Sequence, residues 1–264
     1  MKKTLIALAV AASAAVSGSA MAWTANGTGG SVDLGGTLTP ADVVTPWEIK
    51  TGGRIDGLDV SIRKGATVVD VPVNKAIPVL GIRTVANTAF EGTPGISPQI
   101  NYGDAVDLDG FNAGVTTVSM EVRDEQGNVI GGLVAPFFAG AETSQKAIDA
   151  SNVTPNYKYS LFSNKAGNAF FGGLPKSSDG AVTNVSTKVN AIDSQFTANY
   201  NTQGVEDYRM TYGQTSFSNN EIFYSAFYGS GLRSGDTIKI SLSQPVGADA
   251  ITWKASLPIT VSYQ

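Results

Sequence analysis

Two groups of residues have the types to do chemistry. The first is acidic: Asp104, Asp107 and Asp109, with Gly110 following. The second interleaves aromatic rings with lysines: Tyr157, Tyr159, Phe162, Phe170 and Phe171 among Lys158, Lys165 and Lys176. The aspartates resemble a calcium loop, but their spacing is wrong for one and no Glu closes it at the twelfth position. They read as an acidic turn. The aromatic group has two readings that can share residues. One is a local mini-core. The other is a carbohydrate platform, because the C–H faces of sugars stack on aromatic rings while Lys, Asn and Ser bond hydroxyls, and such sites combine apolar faces with a few placed polar groups. For the platform, the candidate receptor-binding residues are Tyr157, Tyr159, Phe162, Lys165, Phe170, Phe171 and Lys176.

Other chemistries find little support. The chain has no His and no Cys. That removes the commonest general base and metal ligand and leaves burial and hydrogen bonding to hold an exported protein together. No Gly-x-Ser-x-Gly occurs. We therefore expect no catalytic residues, no metal site, no cofactor and no enzyme activity. Gly229-x-Gly231-x-x-x-Gly235 lacks the βαβ setting of a dinucleotide fingerprint and reads as hairpin chemistry, with a turn at Gly229-Ser230-Gly231. Asn26, Asn152 and Asn184 open glycosylation-type triplets, which read as chance in a chain with a bacterial export signal. The net charge is −4, and removing Lys2 and Lys3 makes it more acidic, which argues against nucleic acid and anionic membrane as partners.

The elements that must position these residues begin with that signal. Lys2 and Lys3 precede a short apolar run from Leu5 to Val16, and Ala20-Met21-Ala22 supplies a small–x–small cleavage pattern. Residues 1–22 are thus a signal peptide, and the mature chain starts at Trp23. Charged residues make up 15% of the chain and Gly numbers 30, a balance that suits a β protein at the cell surface. Short alternating runs recur: Trp47 with Ile49; Val69, Val71 and Val73; Val118, Met120 and Val122; Ile238, Ile240 and Leu242. The run from Val118 to Val122 leads to Asp124–Asn128, beyond which Val129 and Ile130 resume, and this reads as a hairpin. From about 140 to 206 the texture changes. Glu142 to Ala150 has the look of a short helix, and Val189, Ile192, Phe196 and Tyr200 fall at helical spacing. The stretch reads as an insertion carried by a β scaffold.

Two alternating segments bracket the mature chain. Val32, Leu34, Gly36 and Leu38 lie on one side of a run near the new N-terminus, weakened by three glycines in or beside it. Every odd position from Ile251 to Tyr263 is apolar or aromatic, which predicts one long half-buried strand at the end of the chain.

Together with Gly30–Thr39, Trp47-Glu-Ile-Lys50, Pro78–Arg83, Phe170-Phe-Gly-Gly-Leu-Pro-Lys176 and the stretch from Gly235 to Tyr263, these features make the chain similar to subunits of chaperone–usher fimbriae. More closely, it resembles the kappa family, the FaeG-type major adhesive subunits of enterotoxigenic Escherichia coli. The resemblance implies an all-β fold, an incomplete immunoglobulin-like β-sandwich completed by a donor strand, with an inserted subdomain containing short helices. It implies an N-terminal extension over 23–42 that holds the donor strand (Val32, Leu34, Gly36, Leu38), and a pilin domain over 43–264 with its insertion at about 140–206. Leu257, Ile259, Val261 and Tyr263 would form the groove and the surface that a periplasmic chaperone recognises. The implied partners are that chaperone, an outer-membrane usher, neighbouring copies of the same subunit and host glycoprotein or glycolipid carbohydrate. The implied function is a major fimbrial subunit that is also the adhesin; a minor or purely structural subunit is the alternative. An outer-membrane barrel would want many regular strands of about ten residues, and a secreted hydrolase would want a constellation of catalytic groups; neither fits these short, irregular runs.

Overall fold

The computed structural model describes residues 34–37, 44–149 and 156–264, with the backbone alone over 207–210. The chain divides into two units, Met1–Ala41 and Asp42–Gln264. The expected signal peptide, Val32 and Leu38 lie outside the described residues. In the first unit, residues 34–37 have no regular secondary structure, and Leu34 is 93% exposed.

The second unit is an open, sandwich-like all-β fold. Its strands are β1 (Trp47–Thr51), β2 (Val68–Pro72), β3 (Ile77–Thr84), β4 (Phe90–Glu91), β5 (Pro98–Asn101), β6 (Val115–Arg123), β7 (Val129–Ala147), β8 (Tyr157–Leu161), β9 (Asp207–Gly213), β10 (Ile222–Leu232), β11 (Thr237–Leu242), β12 (Lys254–Ala255) and β13 (Thr260–Tyr263). One helix, α1 (Val185–Asn190), and two 3-10 turns, Ser178–Gly180 and Ser194–Thr197, complete the described elements.

β7 is the spine. Along one edge it pairs first with β6 and then with β8; along the other it pairs first with β11 and then with β10. The β6–β7 hairpin forms where the sequence predicts it. The Asp124 carboxylate accepts from both the backbone N–H and the side-chain amide of Asn128, and the backbone N–H of Asp124 donates to Asn128 O. The Asn128 side-chain hydrogen bond, with the turn N–H groups, holds the Asp124 carboxyl below the usual carboxylate range. Successive side chains of a strand face opposite ways, so Leu133, Ala135, Phe137, Ala139 and Ala141 enter the main core while Phe138 enters a second cluster. The main core gathers Trp47, Phe90, Phe170, Phe217 and Tyr224 in edge and tilted contacts 5.1 to 6.0 Å apart, and Phe170 stacks on Tyr228 at 5.6 Å. Trp47 Nε1–H is satisfied by Ile96 O at 2.6 Å.

Three expectations need correction. Glu142–Ala147 is not helical; it is the end of β7, paired on both edges with β10 and β8. Pairing on both edges overrides the local spacing of the side chains. The stretch from 140 to 206 is accordingly joined to the sheet at its start by β7 and β8. Next, Gly229-Ser230-Gly231 is not a turn but lies inside β10. The real turn is Arg233–Asp236, where the N–H of Asp236 donates to Arg233 O and Gly235 takes φ +91°. Lastly, Ile251–Tyr263 is not one strand. β12 pairs with β6, β13 pairs with β5, and the four residues between them are unpaired. Pro258 sits in that gap and has no N–H to give a ladder.

The helical spacing of Val189, Ile192 and Phe196 is real, but the helix breaks. α1 ends at Asn190, and Asp193 caps the following 3-10 turn by accepting from Gln195 N–H. These apolar residues, with Val182 and Val185, pack on Phe138 and Phe227 in the second cluster, and Tyr200 lies partly buried against it. They seat on a row of glycines. Gly81, Gly229 and Gly140 stand directly opposite one another across β3, β10 and β7. A Cβ at Gly81 would fall 2.1 Å from the Phe196 ring, one at Gly229 2.4 Å from a Val189 methyl, and one at Gly140 3.0 Å from a Val185 methyl. Bare backbone on that face lets the segment lie down on the sheet.

Candidate functional site

The C-terminal segment keeps its alternation despite the break. Trp253, Ala255, Leu257, Ile259, Val261 and Tyr263 pack against the main core, and each is only half-buried; the even positions from Lys254 to Gln264 are exposed. A strand flanked on both sides would bury its inner face, as Val118 and Val122 are buried in β6. Here the inner face has one flank. Gln264 and Ser97 exchange both backbone hydrogen bonds, at 2.9 and 3.1 Å. In an antiparallel pair this fixes alternate residues as the bonded ones, so Gln264, Ser262 and Thr260 face β5. The N–H and C=O groups of Tyr263 and Val261 face the opposite edge, where no strand pairs among the described residues. Leu257, Ile259, Val261 and Tyr263 are thus brought together on one half-covered face beside an open edge. Of the N-terminal residues predicted to pair there, Leu34 and Gly36 are exposed, and a Cβ at Gly36 would meet nothing within 4 Å.

The aromatic candidates separate into two sets. Tyr159 and Phe170 are interior, at 8% and 0% exposure. Tyr159 Oη donates to Gln145 Oε1 at 3.2 Å, and burial holds its hydroxyl well above the usual tyrosine value. Phe170, at φ +57°, stacks on Tyr228 and meets Trp47 edge-on. Neither ring can offer a face to a ligand, which corrects the platform as it stood: packing claims these two. Tyr157, Phe162 and Phe171 are half-buried, and Lys165 is exposed. Lys176 Nζ reaches Asp109 Oδ1 at 2.7 Å. The Phe-x-Gly-Gly-Leu-Pro stretch is built for close packing, since a Cβ at Gly172 would lie 2.0 Å from Ile100 O and one at Gly173 2.5 Å from the Ile100 side chain.

Asp107 is occupied as a turn residue, its carboxylate accepting from the N–H groups of Asp109 and Gly110. Among the described residues no group of three or more His, Cys, Asp or Glu is placed to hold a metal, and no helix is long and apolar enough to cross a membrane. Asn184 precedes α1 in a left-handed conformation; Asn26 and Asn152 lie outside the described residues.

Sequence reasoning missed two polar arrangements. One is a buried hydroxyl chain in which Tyr102 Oη lies 2.9 Å from both Tyr228 Oη and Ser230 Oγ, while Tyr228 Oη donates to Gly173 O at 3.1 Å. Burial pushes the Tyr228 hydroxyl up to about 12 and raises Tyr102 well above the usual value. The other fastens the 190–200 segment to β1 and β3. Lys50 Nζ meets Asp193 Oδ2 at 2.5 Å and Gln195 Oε1 at 2.8 Å; Arg83 bonds Glu48 Oε1 at 2.6 Å and Gln195 O at 2.5 Å. Both join residues more than a hundred positions apart, or aromatic hydroxyls with no local signal, so no spacing rule reveals them.

An open, sandwich-like β fold ending in a strand with one edge unpaired among the described residues fits the class of fimbrial subunits. The family model described as "Fimbrial, major and minor subunit", of the K88 type, matches residues 1–264, and the chain belongs to that family. It is 30% identical to K88 fimbrial protein AC and to K88 fimbrial protein AB, and 28% identical to F41 fimbrial protein, all of Escherichia coli; each alignment covers all of both chains. The chain is therefore a component of the surface fimbrium, a role that entails association with other subunits.

Proposed function

We propose that the chain is a major fimbrial subunit and adhesin, polymerising by donor-strand exchange and attaching cells to host glycoconjugates. The observation that carries the assembly reading is the half-buried face of Leu257, Ile259, Val261 and Tyr263 beside an edge with no described neighbour. A periplasmic chaperone first supplies the missing strand, with Tyr263 helping it recognise the end of the subunit. At the outer-membrane usher, the segment carrying Val32, Leu34, Gly36 and Leu38 of the next copy replaces it. The physics is β-strand addition: backbone hydrogen bonds give affinity and alternate side chains give register. Burying Val32, Leu34 and Leu38 contributes at most ~1.5–3 kcal/mol each, and Gly36 contributes almost nothing. The donor is a poor strand when free, which keeps it unpaired until it meets a groove.

Deleting residues 30–39 tests the assembly reading. Polymers should disappear while chaperone-bound subunit persists in the periplasm; normal fimbriae from the deletion would overturn it. Adhesion is tested separately, by binding of purified fimbriae to immobilised host glycans and epithelial surfaces. A second reading, a minor or purely structural subunit, is favoured by the burial of Tyr159 and Phe170, which removes two rings from the receptor platform. Fimbriae that bind neither glycans nor epithelial surfaces would establish it.

A further inference from the structure

Between β1 and β2, residues 52–67 form no strand or helix. Connections longer than about 12–15 residues without structure of their own are uncommon in compact domains. The ends of this one are tied. Gly52 N–H donates to Val79 O at 2.8 Å, Gly65 N–H to Val246 O at 2.9 Å, and Ala66 N–H to Arg63 O at 3.0 Å. From Gly53 to Ile62 the backbone makes no backbone hydrogen bond among the described residues. Residues 52–57 are all exposed, and Leu58 is where the stretch first rests, half-buried, on the main core. A Cβ at Gly53 or Gly57 would meet nothing within 4 Å.

Arg54 stands in this unpaired run. Its side chain is 87% exposed, and the Asp56 carboxylate it pairs with is itself 71% exposed, so the pair holds it weakly. A trypsin-like protease reads Arg or Lys through an acid in its specificity pocket. It also pairs with the substrate backbone as with an added strand, which needs N–H and C=O groups free on both sides of the bond. The other cations lack that freedom. Lys50, Arg123 and Lys239 lie in paired strands. Arg233 is bound into its turn by Asp236, and Lys75 lies in the short connection between β2 and β3. Lys165 is exposed, but the N–H groups of Phe162, Ser163 and Gly167 around it donate to Gly213 O, Pro175 O and Gln99 Oε1. Residues 23–43 and 150–155 hold no Lys or Arg.

We infer that the Arg54–Ile55 peptide bond is a cleavage site for trypsin-like serine proteases, and that the cut subunit keeps both of its pieces. Hydrolysis consumes one water and leaves a carboxylate on Arg54 and an ammonium on Ile55. Both new ends arise in exposed chain, and no strand pairing is lost. The piece that ends at Arg54 carries β1, which is paired along its whole length with β3. Trp47 anchors that piece in the core at 6% exposure, with its indole N–H on Ile96 O. Exposed loops are the preferred places for such nicks, and the surrounding ladder decides whether the fold survives them. The inference is independent of the adhesin and donor-strand readings.

The test digests intact fimbriae, sheared from cells, with trypsin at low dose, and follows the chain by denaturing gel and mass spectrometry. In wild type the first two fragments to form should end at Arg54 and begin at Ile55, and both should sediment with the fimbriae. Arg54→Gln should slow the loss of full-length chain by about tenfold or more, since cleavage follows the population of accessible chain and the remaining sites must first open. Should that variant fail to assemble, wild-type fimbriae give the same answer with two further proteases. One that cuts only after Arg should cut first at Arg54, and one that cuts only after Lys should leave the chain full-length over the same time. A wild-type chain that stays uncut, a first cut at any other residue, or release of the piece ending at Arg54 from the sedimented fimbriae overturns the inference.

Discussion

The segment from Val185 to Tyr200 and the segment from Ile251 to Tyr263 carry the same kind of sequence signal, apolar residues at a regular period, yet they end in opposite states. In the first, Val185, Val189 and Phe196 are buried, seated on the glycine row and fastened by Lys50 and Arg83. In the second, the inward residues are only half-covered and one backbone edge is open. A periodic face tells which side of an element wants burial; it does not tell whether this chain supplies the cover. The closed segment finishes a face within the subunit. The open one leaves a face whose completion, in our proposal, belongs to the next subunit.

The comparison can be broken most directly at the open face. Val261→Asp should abolish fimbriae, since an unpaired carboxylate in a dry groove costs several kcal/mol; fimbriae recovered by shear in normal amount would show that the face is not covered in the assembly. The next largest effect belongs to the closed face. Gly229→Val places a Cβ 2.4 Å from a Val189 methyl and 3.0 Å from the Phe196 ring. Overpacking of this kind costs ~1–3 kcal/mol or more, and a domain of this size should lose roughly 2–10 °C in melting temperature, read by circular dichroism.

A matched pair sharpens the contrast. Val189→Ala should cost the monomer about 2 kcal/mol, because two buried methyl groups are lost. Val261→Ala should cost the monomer less than about 1 kcal/mol and show its full effect only in the dissociation of polymers. Equal losses in the monomer would mean that the two faces are equally covered.

The smallest effect is electrostatic. Lys50→Ala removes an ion pair with a half-exposed ammonium, worth about 0.2–1 kcal/mol and weakened by salt. Burial alone would raise the Asp193 carboxyl, but the Lys50 hydrogen bond, the Gln195 N–H and the charges of Lys50 and Arg83 together hold it below the ordinary carboxylate value of 3.8. A depressed folded-state value means the contribution is present above that ordinary value and is lost as the pH falls through the folded one. The difference in melting temperature between wild type and Lys50→Ala should therefore be constant near neutrality and close in acid below about pH 4.

The sequence by itself determined a good part of this. Alternation set the strands around Val118–Val122, Ile238–Leu242 and the inner face of Trp253–Tyr263, because a pleated strand has a period of two whatever surrounds it. Asp124-Glu-Gln-Gly-Asn128 determined its hairpin, because a turn is local chemistry. The lack of His and Cys and the spread of family-like residues pointed to a fimbrial subunit. Only the tertiary structure decided the rest. Glu142–Ala147 became strand because β8 and β10 pair with it from both sides. Phe170 and Tyr159 became core because Tyr228, Trp47 and Gln145, remote in sequence, surround them. Gly229 and Gly231 became a seat rather than a turn because β3 and β7 bring Gly81 and Gly140 beside Gly229. The final strand split at Pro258, and its edge stayed open. Local rules fix what each residue prefers; which partners reach it depends on contacts between distant parts of the chain, and those exist only once it has folded.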